Sequence, residues 1–445
     1  MAEAGFRSRV RDTDVAVTFR DLILLPGWTE VEPSQVDIST QATKSHRINV
    51  PFISSPMDTV TESEMAVAIA RLGGLGILHR NCTVEEEVEM ARKVKRAEAL
   101  VIKDVITIAS AETVKYAMDL MQKHNISGLP VVEAEKLVGI VTGRDVRFAD
   151  PSLLTKDVMT KKVVTAPSDT KIEEAKELLH KHRVEKLPLV DKEGRLKGLI
   201  TIKDILQRGR FPNAARDEQG QLLCGAAVSP FDLKRAKKLS EIVDVLVIDV
   251  SHFHNANVFS ATRKIIEEVD VDVVVGSIGT YKAAEDALTK LEGVAGFRVG
   301  IGSGSICTTM ESTKAGSPTA YATAQVADVV KTYGAKTPII ADGGIRGPGD
   351  AGSPSAMAKR FSLDRYAMPS KGIPEGVEGW VPFKGETSVV IQEMSAGLQA
   401  SMGYAGARTI PDLWDKAHLA SITESGSEEA RPHDVLLPSE SPERV

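Results

Sequence analysis

The sequence predicts an α/β protein, a (β/α)8 TIM barrel into which a smaller α+β domain is inserted. Short apolar runs, typical of buried parallel strands, alternate with helical patterns both before residue 100 and after residue 208. Residues 100–208 instead contain one segment twice. The rest of the chain is long enough for a barrel of about 250 residues with extensions.

Seven apolar runs predict barrel strands, at 51–55, 75–78, 222–228, 243–250, 271–278, 297–301 and 338–341. Between the first two, residues 62–72 have helical spacing, with Met65, Ile69 and Leu72 on one face. This β-α-β unit indicates a parallel sheet. Residues 1–48 precede it as an arm with few regular signals.

The eighth strand of the barrel has no candidate and is predicted to be missing or shortened. It should follow Asp342-Gly343-Gly344, but residues 345–373 contain no run of β-branched apolar residues. An open barrel edge would leave backbone groups unpaired. We therefore predict a gap, or a substitute segment, between the strands at Pro338 and Pro51.

The inserted domain consists of two copies of one unit. The segment 129–132 recurs 58 residues later at 187–190, and the segment 139–142 recurs 59 residues later at 198–201. Such a period indicates two similar supersecondary units packed together. We expect boundaries at 1–99, 100–208 (copies at about 100–152 and 153–208) and 209–445.

Composition argues against several classes of protein. A net charge of −6, from 55 basic and 61 acidic residues, gives no signature of a nucleic-acid partner. The sequence contains no apolar run near the roughly 18 residues of a membrane span, and its N-terminus lacks an apolar signal region. Cys82, Cys224 and Cys307 match neither a disulfide framework nor a zinc pattern. A cytoplasmic, reducing setting is therefore expected.

A glycine-rich loop with a cysteine follows the sixth predicted strand, over Gly302-Ser303-Gly304-Ser305-Ile306-Cys307-Thr308-Thr309. Glycines let the backbone take φ > 0 and let a ligand approach closely. The backbone N–H groups around Ser305 can hold a phosphate near the Cys307 thiol. The pattern favours a cysteine nucleophile directed at a nucleotide, and the alternative is a structural loop with an inert cysteine.

This loop resembles the catalytic loop of the inosine-5′-monophosphate (IMP) dehydrogenase family. Three further segments resemble motifs of that family: Ser54-Ser55-Pro56-Met57-Asp58-Thr59-Val60-Thr61, Ile340-Ala341-Asp342-Gly343-Gly344-Ile345 and Pro374-Glu375-Gly376-Val377. The resemblance runs from about Thr18 to the C-terminus. It implies NAD-dependent oxidation of IMP to xanthosine monophosphate, a step in guanine nucleotide synthesis.

The resemblance also assigns roles to residues. Cys307 would attack C2 of the purine, while Thr309 and the flap pair Arg365-Tyr366 would position and activate the hydrolytic water. Substrate contacts are implied for Ser55, Met57, Ser305, Ile306, Asp342, Gly343, Gly344, Glu375 and Gly376. NAD contacts are implied for Asp249, Val250, Ser251, Ser277, Arg298, Gly300, Ile301 and Gly302.

Two further ligands follow from family resemblance. A monovalent cation, potassium, would bind main-chain carbonyls of Gly302, Gly304 and Cys307 together with Glu429, Ala430 and Arg431 of a neighbouring subunit, which implies a homotetramer. The repeated units resemble a tandem CBS (Bateman) pair, which implies an adenine or guanine nucleotide at Thr142, Asp145, Thr201 and Asp204. The alternative for the pair is structural, with Asp145 and Asp204 capping helices.

Residues 345–373 depart from the family, which has a helix, a strand with a Gly-Ser phosphate clamp and a base-gripping segment there. Only Gly352-Ser353 resembles that region. We therefore expect weak IMP binding and slow or absent turnover. Two alternatives to the dehydrogenase stay open: guanosine monophosphate (GMP) reductase, disfavoured by Arg365-Tyr366 and by the inserted domain, and a non-catalytic nucleotide sensor.

Overall fold

The computed structural model describes residues 13–97, 102, 105–305, 307–344, 383 and 385–430. The chain divides into two compact units. The first comprises Met1–Val94, Asn213–Asp217 and Leu223–Val445, and the second comprises Lys95–Pro212 and Glu218–Leu222. The second unit begins before, and ends after, the insert expected at 100–208.

The elements before the insert are β1 (Leu22–Leu25), β2 (Thr40–Gln41), β3 (Arg47–Ile48), α1 (Ser63–Arg71), β4 (Gly76–Leu78) and α2 (Val84–Arg96). Those of the insert are β5 (Ile108–Ala109), α3 (Val114–His124), β6 (Gly128–Glu133), β7 (Lys136–Thr142), α4 (Gly143–Val146), α5 (Thr155–Val158), β8 (Ala166–Pro167), α6 (Ile172–His182), β9 (Lys186–Val190), β10 (Leu196–Thr201) and α7 (Ile202–Arg210).

After the insert follow β11 (Cys224–Val228), α8 (Leu233–Ser240), β12 (Val245–Ile248), α9 (Ala256–Glu268), β13 (Asp272–Ile278), α10 (Tyr281–Lys290), β14 (Val294–Val299), α11 (Thr309–Thr313), α12 (Thr319–Thr332) and β15 (Ile339–Ala341). The last elements are α13 (Thr387–Ala405), α14 (Ile410–Lys416), β16 (His418–Ser421) and α15 (Glu424–Glu429).

A six-stranded parallel sheet forms the centre of the first unit, in the order β15-β14-β13-β12-β11-β4. Helices connect most of its strands, so the predicted α/β class is confirmed. The first predicted strand, 51–55, is reduced to one parallel bridge between Ile53 and Leu75. Pro51 and Pro56 bound this run and cannot donate ladder hydrogen bonds. The predicted gap at 345–373 lies outside the described residues.

Two strand boundaries differ from those predicted. The run 243–250 is extended only over β12, and the run 297–301 begins earlier and ends at Val299. Gly300 and Gly302 have φ of +129° and +81°, so the chain leaves the strand conformation there. The glycine-rich loop that carries Cys307 therefore begins two residues earlier than the apolar pattern indicates.

The apolar interior of this unit collects side chains from several strands onto one side of the sheet. It contains Ala42, Ile48, Leu75, Ile77, Ala215, Leu223, Ala227, Val245, Val247 and Val274. Ala42 and Ile48 come from the hairpin β2–β3, whose loop residue Lys44 donates its N–H to the carbonyl of Ala295 at 3.0 Å. Since Ala295 lies at the start of β14, the hairpin covers the amino end of the sheet.

The second unit contains two copies of the order β-α-β-β-α, β5 to α4 and β8 to α7. In each copy the first two strands are parallel and the last two antiparallel. The helices α3 and α6 are followed by the capping residues Asn125 and Arg183, which have φ of 50° and 52° and lie 58 residues apart. Each copy has its own apolar core. Among the described helices of the chain, none is both long and apolar enough to span a membrane.

Candidate active site

Polar side chains gather at the carboxyl ends of the parallel strands. Arg80, Asp249 and Asp342 follow β4, β12 and β15, and the loop with Cys307 follows β14. In parallel α/β folds this is the edge at which ligands bind. The strands thus bring together residues that are far apart in sequence.

Cys307 is half-buried in the loop between β14 and α11. Its thiol donates to Oγ1 of Thr309 at 3.2 Å, and its N–H donates to the carbonyl of Gly304 at 3.0 Å. The turn at Gly304 and the start of α11 therefore fix both ends of the short cysteine segment. The thiol is partly accessible to solvent and held in one orientation, so a ligand can reach it.

The cysteine loop lies directly against the turn at Asp342, and glycine makes this approach possible. Gly343 has φ of +78°, and a Cβ there would come within 2.7 Å of the Ser303 hydroxyl. Gly300 has φ of +129°, and a Cβ there would be 2.4 Å from the carbonyl oxygen of Asp342. Both positions require glycine, as the sequence pattern indicates for the loop.

Two hydroxyls hold the loop to this turn, and we call Ser303 and Thr319 the hydroxyl latch. Oγ of Ser303 donates to the carbonyl of Asp342 at 3.0 Å. Oγ1 of Thr319 lies 2.7 Å from Ser303 Oγ and 3.1 Å from the same carbonyl. The N–H of Gly344 donates to the carbonyl of Ser303 at 3.2 Å. Sequence reasoning missed Thr319, whose only signal is its place at the start of a helix after Pro318.

Arginine and aspartate side chains alternate across the same edge, and we call Arg80, Asp249, Arg298 and Asp342 the charge chain. Nε of Arg80 donates to Oδ2 of Asp249 at 3.3 Å. Nη2 of Arg298 donates to Oδ1 of Asp249, and its Nη1 donates to Oδ2 of Asp342, each at 3.0 Å. Asp249 is fully buried, whereas the Asp342 side chain is 29% exposed. Part of the Asp342 carboxylate is thus accessible to a ligand, whereas both carboxylate oxygens of Asp249 accept hydrogen bonds from arginine side chains.

The cofactor-side segments predicted from sequence also meet. The N–H of Ser277 donates to the carbonyl of Val250 at 3.2 Å, and the N–H of Phe253 donates to the carbonyl of Ser277 at 3.0 Å. Val250 and Ser277 are buried, while Ser251, Ile301 and Gly302 are partly exposed. Backbone contacts therefore join the loop after β12 to the last residues of β13.

The remaining predicted residues have different surroundings. Ser55 and Met57 are half-buried in the turn after Ile53, where the Met57 N–H donates to the Ser55 carbonyl at 2.9 Å. Ser305 is exposed. Glu429 ends α15 and Ala430 follows it. The predicted residues outside the described ones are Ile306, Arg365, Tyr366, Glu375, Gly376 and Arg431.

The other two cysteines have settings unlike that of Cys307. Cys224 begins β11 and is fully buried, as predicted for a core residue. Burial, reinforced by the nearby carboxylate of Glu87, raises the pKa of Cys82 to about 12. Cys82 is therefore a neutral thiol at physiological pH and a poor nucleophile.

His252 and His254 do not belong to a metal centre in the described part of the chain, where no three metal-ligating side chains cluster. Nε2 of His254 instead lies 2.9 Å from Oδ2 of Asp286.

An α/β enzyme with a cysteine and an open carboxylate at the carboxyl end of its sheet is the class that the fold and site define. The family model of the IMP dehydrogenase / GMP reductase domain matches residues 16–353 and 351–433. The chain belongs to this family. The two matched segments meet at 351–353, inside the region 345–373 where the sequence departs from the family pattern.

Relatives named inosine-5′-monophosphate dehydrogenase match almost the whole chain. The protein of Korarchaeum cryptofilum is 50% identical over 469 residues, covering 96% of this chain and 98% of that protein. The protein of Thermoplasma acidophilum is 43% identical over 479 residues, covering 98% of each. Both alignments are longer than the 445 residues of this chain, so they include positions that the relatives have and this chain lacks.

Solved structures of a second enzyme of the family are also similar. A GMP reductase variant from Trypanosoma brucei in complex with guanosine 5′-monophosphate superposes with a TM-score of 0.86 at 30% identity, over 96% of this chain and 99% of that one. The GMP reductase in complex with guanosine 5′-triphosphate superposes with a TM-score of 0.80 at 32% identity, over 94% of this chain and all of that one.

Proposed function

We propose that the protein oxidises IMP to xanthosine monophosphate with NAD⁺, using Cys307 as the nucleophile. The observation that carries this proposal is the half-buried Cys307 thiol on a loop that the hydroxyl latch holds against the turn of Asp342. Cys307 and the Asp342 carboxylate, which can accept hydrogen bonds from ribose hydroxyls, therefore lie at one edge of a parallel sheet. The sheet is, in this proposal, the described part of a (β/α)8 barrel.

In this proposal the cysteine performs the covalent step, and the residues around it bind the ribose and the phosphate of IMP. Cys307 reacts as the thiolate, its proton released to solvent, and its sulfur forms a bond to C2 of the purine. The Thr309 hydroxyl, which accepts a hydrogen bond from the thiol at 3.2 Å, orients the sulfur. The hydride leaves C2, and water then breaks the carbon–sulfur bond. The exposed part of the Asp342 carboxylate accepts hydrogen bonds from ribose hydroxyls, and the N–H groups of the glycine-rich loop face the phosphate.

NAD⁺, when bound, supplies the hydride acceptor. The site fits a cofactor with hydrogen-bond acceptors, because the buried Nε of Arg298 has no hydrogen-bond partner among the described residues. Ser251, Gly300, Ile301 and Gly302 surround the same strand ends. Asp249 contributes by holding Arg298, since its own oxygens already accept from arginine.

A monovalent cation is proposed at the carbonyls of Gly302, Gly304 and Cys307. The carbonyl of Gly304 accepts the Cys307 N–H at 3.0 Å and keeps its second lone pair for a cation. Glu429, Ala430 and Arg431 of a neighbouring subunit would complete the set in a homotetramer. The cation would stiffen the loop and perform no step of the reaction.

For the second unit we propose a tandem CBS pair that binds an adenine or guanine nucleotide. Oδ2 of Asp145 accepts from both the N–H and the hydroxyl of Thr142 at 2.7 Å, which is the cap expected of a structural role. Its other oxygen is available for ribose, and Thr201 and Asp204 hold the matching positions of the second copy. ATP or GTP should raise the melting temperature by mass action, and Asp145→Ala or Asp204→Ala should reduce that rise.

The break in the family match at 351–353 limits the expected activity. In this fold a phosphate usually has a second clamp after the eighth strand, and residues 345–373 resemble the family's clamp region only at Gly352-Ser353. Each charge-assisted hydrogen bond that is lost costs about 1.5–3 kcal/mol. We therefore expect weak IMP binding and slow turnover.

Absorbance at the NADH band, with NAD⁺ and IMP up to millimolar concentration, tests the proposal. We expect NADH and xanthosine monophosphate only when both substrates are present, with a KM for IMP far above the micromolar range. No turnover at millimolar IMP would favour the non-catalytic sensor. A micromolar KM with ordinary turnover would contradict the predicted loss of the clamp.

GMP reductase is the second candidate, because two of the solved structures similar to this chain are named GMP reductase. The same preparation should therefore be given GMP and NADPH. Formation of IMP in that assay, without xanthosine monophosphate in the first, would replace the dehydrogenase by the reductase.

A further inference from the structure

Arg80 takes part in the charge chain although it belongs to none of the motifs singled out in the sequence. It follows β4, at one edge of the described sheet, and its side chain is 7% exposed. Its Nε donates to Oδ2 of Asp249 at 3.3 Å, and its Nη2 donates to the main-chain carbonyl of Asp249 at 3.0 Å. A fork that binds both the side chain and the backbone of one residue fixes the orientation of that carboxylate.

The other contacts of Asp249 carry this orientation across the sheet. Its Oδ1 accepts from Arg298, and Arg298 in turn donates to Asp342, at 3.0 Å in both cases. Two cations and two carboxylates alternate, so the buried charges are balanced. If Asp249 were displaced, Arg298 would keep only the Asp342 carboxylate as a partner, and its guanidinium would no longer be held in one orientation.

The loop that carries Arg80 is itself clamped. Nη1 of Arg235 donates to the carbonyl of Arg80 at 3.0 Å, and Nη2 donates to the carbonyl of Cys82 at 2.8 Å. Nη1 of Arg235 also donates to the fully buried Glu87 at 2.5 Å. These contacts hold the backbone on both sides of Asn81, so Arg80 reaches Asp249 from a fixed base.

We propose that Arg80 is a positioning residue for NAD⁺, acting through Asp249 on the guanidinium of Arg298. The inference rests on the proposed function, since it assumes that Arg298 faces the cofactor. The buried Nε of Arg298 lacks a hydrogen-bond partner among the described residues, so the orientation of this guanidinium decides where one donor points. Asp342 keeps its own contact with Arg298, and IMP binding therefore depends less on Arg80 than NAD⁺ binding does.

The test compares Arg80→Met with Arg80→Lys by calorimetric titration of NAD⁺ and, separately, of IMP. Lysine keeps the charge and cannot contact both the carboxylate and the carbonyl with a planar fork. We expect NAD⁺ affinity to fall at least tenfold in Arg80→Met and by a smaller factor in Arg80→Lys, while IMP affinity stays within twofold. Arg263→Met, which changes an exposed arginine on α9, is the matched control and should change neither affinity.

Binding rather than turnover is measured so that a slow enzyme still gives an answer. If Arg80→Met fails to fold, because removing one partner from a buried ion pair is costly, Arg80→Lys decides alone. Equal NAD⁺ affinity in Arg80→Lys and the unaltered protein, or an equal loss for NAD⁺ and IMP, would overturn the proposal and leave the proposed function intact. An unaltered protein that binds IMP without binding NAD⁺ would overturn both.

Discussion

The two ends of the parallel sheet each hold an aspartate surrounded by donors, but the donors differ in kind. At the carboxyl end, Asp249 accepts from Arg80 and Arg298, which come from distant strands. At the amino end, Asp272 accepts from the Ser45 N–H and Ser45 hydroxyl at 3.0 Å and contacts His46 Nδ1 at 3.2 Å, all within one short loop.

The backbones at the two ends differ in the same way. At the carboxyl end, Gly300, Gly302, Gly343 and Gly344 all have φ between 73° and 129°, and two chain segments come so close that a Cβ does not fit. The amino end is closed by the fully buried Ile48 of the hairpin β2–β3. Closely packed backbone that requires glycine is typical of ligand sites, and a locally satisfied apolar cover is typical of regions that stabilise the fold. Substitutions at the first end should therefore change activity, and those at the second should change stability.

Cys307→Ala should give the largest effect and the clearest separation. We expect turnover to be lost, because the covalent step needs the thiol, while IMP affinity and the melting temperature change little. Cys82→Ala is the matched control, since burial raises the pKa of Cys82 to about 12 and keeps it unreactive. Residual turnover within tenfold of the unaltered protein would rule out a covalent mechanism at Cys307.

Restoring the segment that the relatives have should give the next largest effect. Residues 345–353 would be replaced by the corresponding longer segment of the Korarchaeum cryptofilum relative, which is 50% identical to this chain. Several regained phosphate contacts, each worth about 1.5–3 kcal/mol, should lower the KM for IMP by at least a hundredfold. Steady-state kinetics measure this effect, and a replacement of equal length with Gly and Ser is the control. An unchanged KM would show that phosphate binding does not depend on this segment.

The comparison also separates what the sequence predicts from what it does not. The apolar runs predict the strands, and the glycines with Cys307 predict the loop, because both signals lie within a few consecutive residues. Arg80, Arg235 and Thr319 have no such signal. Each acts through contacts with residues more than 15 positions away, such as Arg80 with Asp249, and a single sequence does not show which distant residues meet.

Strand boundaries are a second limit of the sequence. The run 51–55 is predicted as a strand from its short apolar stretch, yet Ile53 forms only one bridge because prolines flank it. The charge on Asp249 marks it as a candidate ligand, but only the structure shows that arginines occupy both of its oxygens. The sequence therefore predicts which residues reach the carboxyl end better than it predicts which of them face a ligand.

The hydroxyl latch should give an intermediate effect and test whether close packing at the carboxyl end serves catalysis. Ser303→Ala or Thr319→Val removes contacts to the carbonyl of Asp342, each worth about 1 kcal/mol or somewhat more. We expect kcat/KM for IMP to fall about 5- to 30-fold, with a small change in melting temperature. Thr289→Val, which removes an exposed hydroxyl on α10, should leave kcat/KM unchanged. A fall in stability without a fall in kcat/KM would show that the hydroxyl latch stabilises the fold, as the contacts at the amino end do, and does not serve catalysis.

Asp272→Asn should give the smallest effect, and it should appear in stability at acid pH. Burial alone would raise the pKa of Asp272, but hydrogen bonds from His46, Thr43 and Ser45 outweigh it and lower the pKa to about 2 from an ordinary value of 3.8. A carboxylate whose pKa is lowered by folding stabilises the folded state above its unfolded pKa, and this contribution disappears as the pH falls from about 4 to 2. The side chain is partly exposed to solvent, so screening reduces the contribution to about 1–2 kcal/mol. Circular dichroism in urea follows the unfolding of the protein at each pH. Between pH 4 and pH 2 the free energy of unfolding should fall by about 1–2 kcal/mol more in the unaltered protein than in Asp272→Asn.

The matched variant Asp328→Asn, on an exposed position of α12, should behave like the unaltered protein. At pH 7 the variant Asp272→Asn should keep its NAD⁺ and IMP affinities. A loss of ligand affinity at pH 7, or equal acid profiles in the two proteins, would show that the amino end is not the purely stabilising region that the contacts of Asp272 indicate.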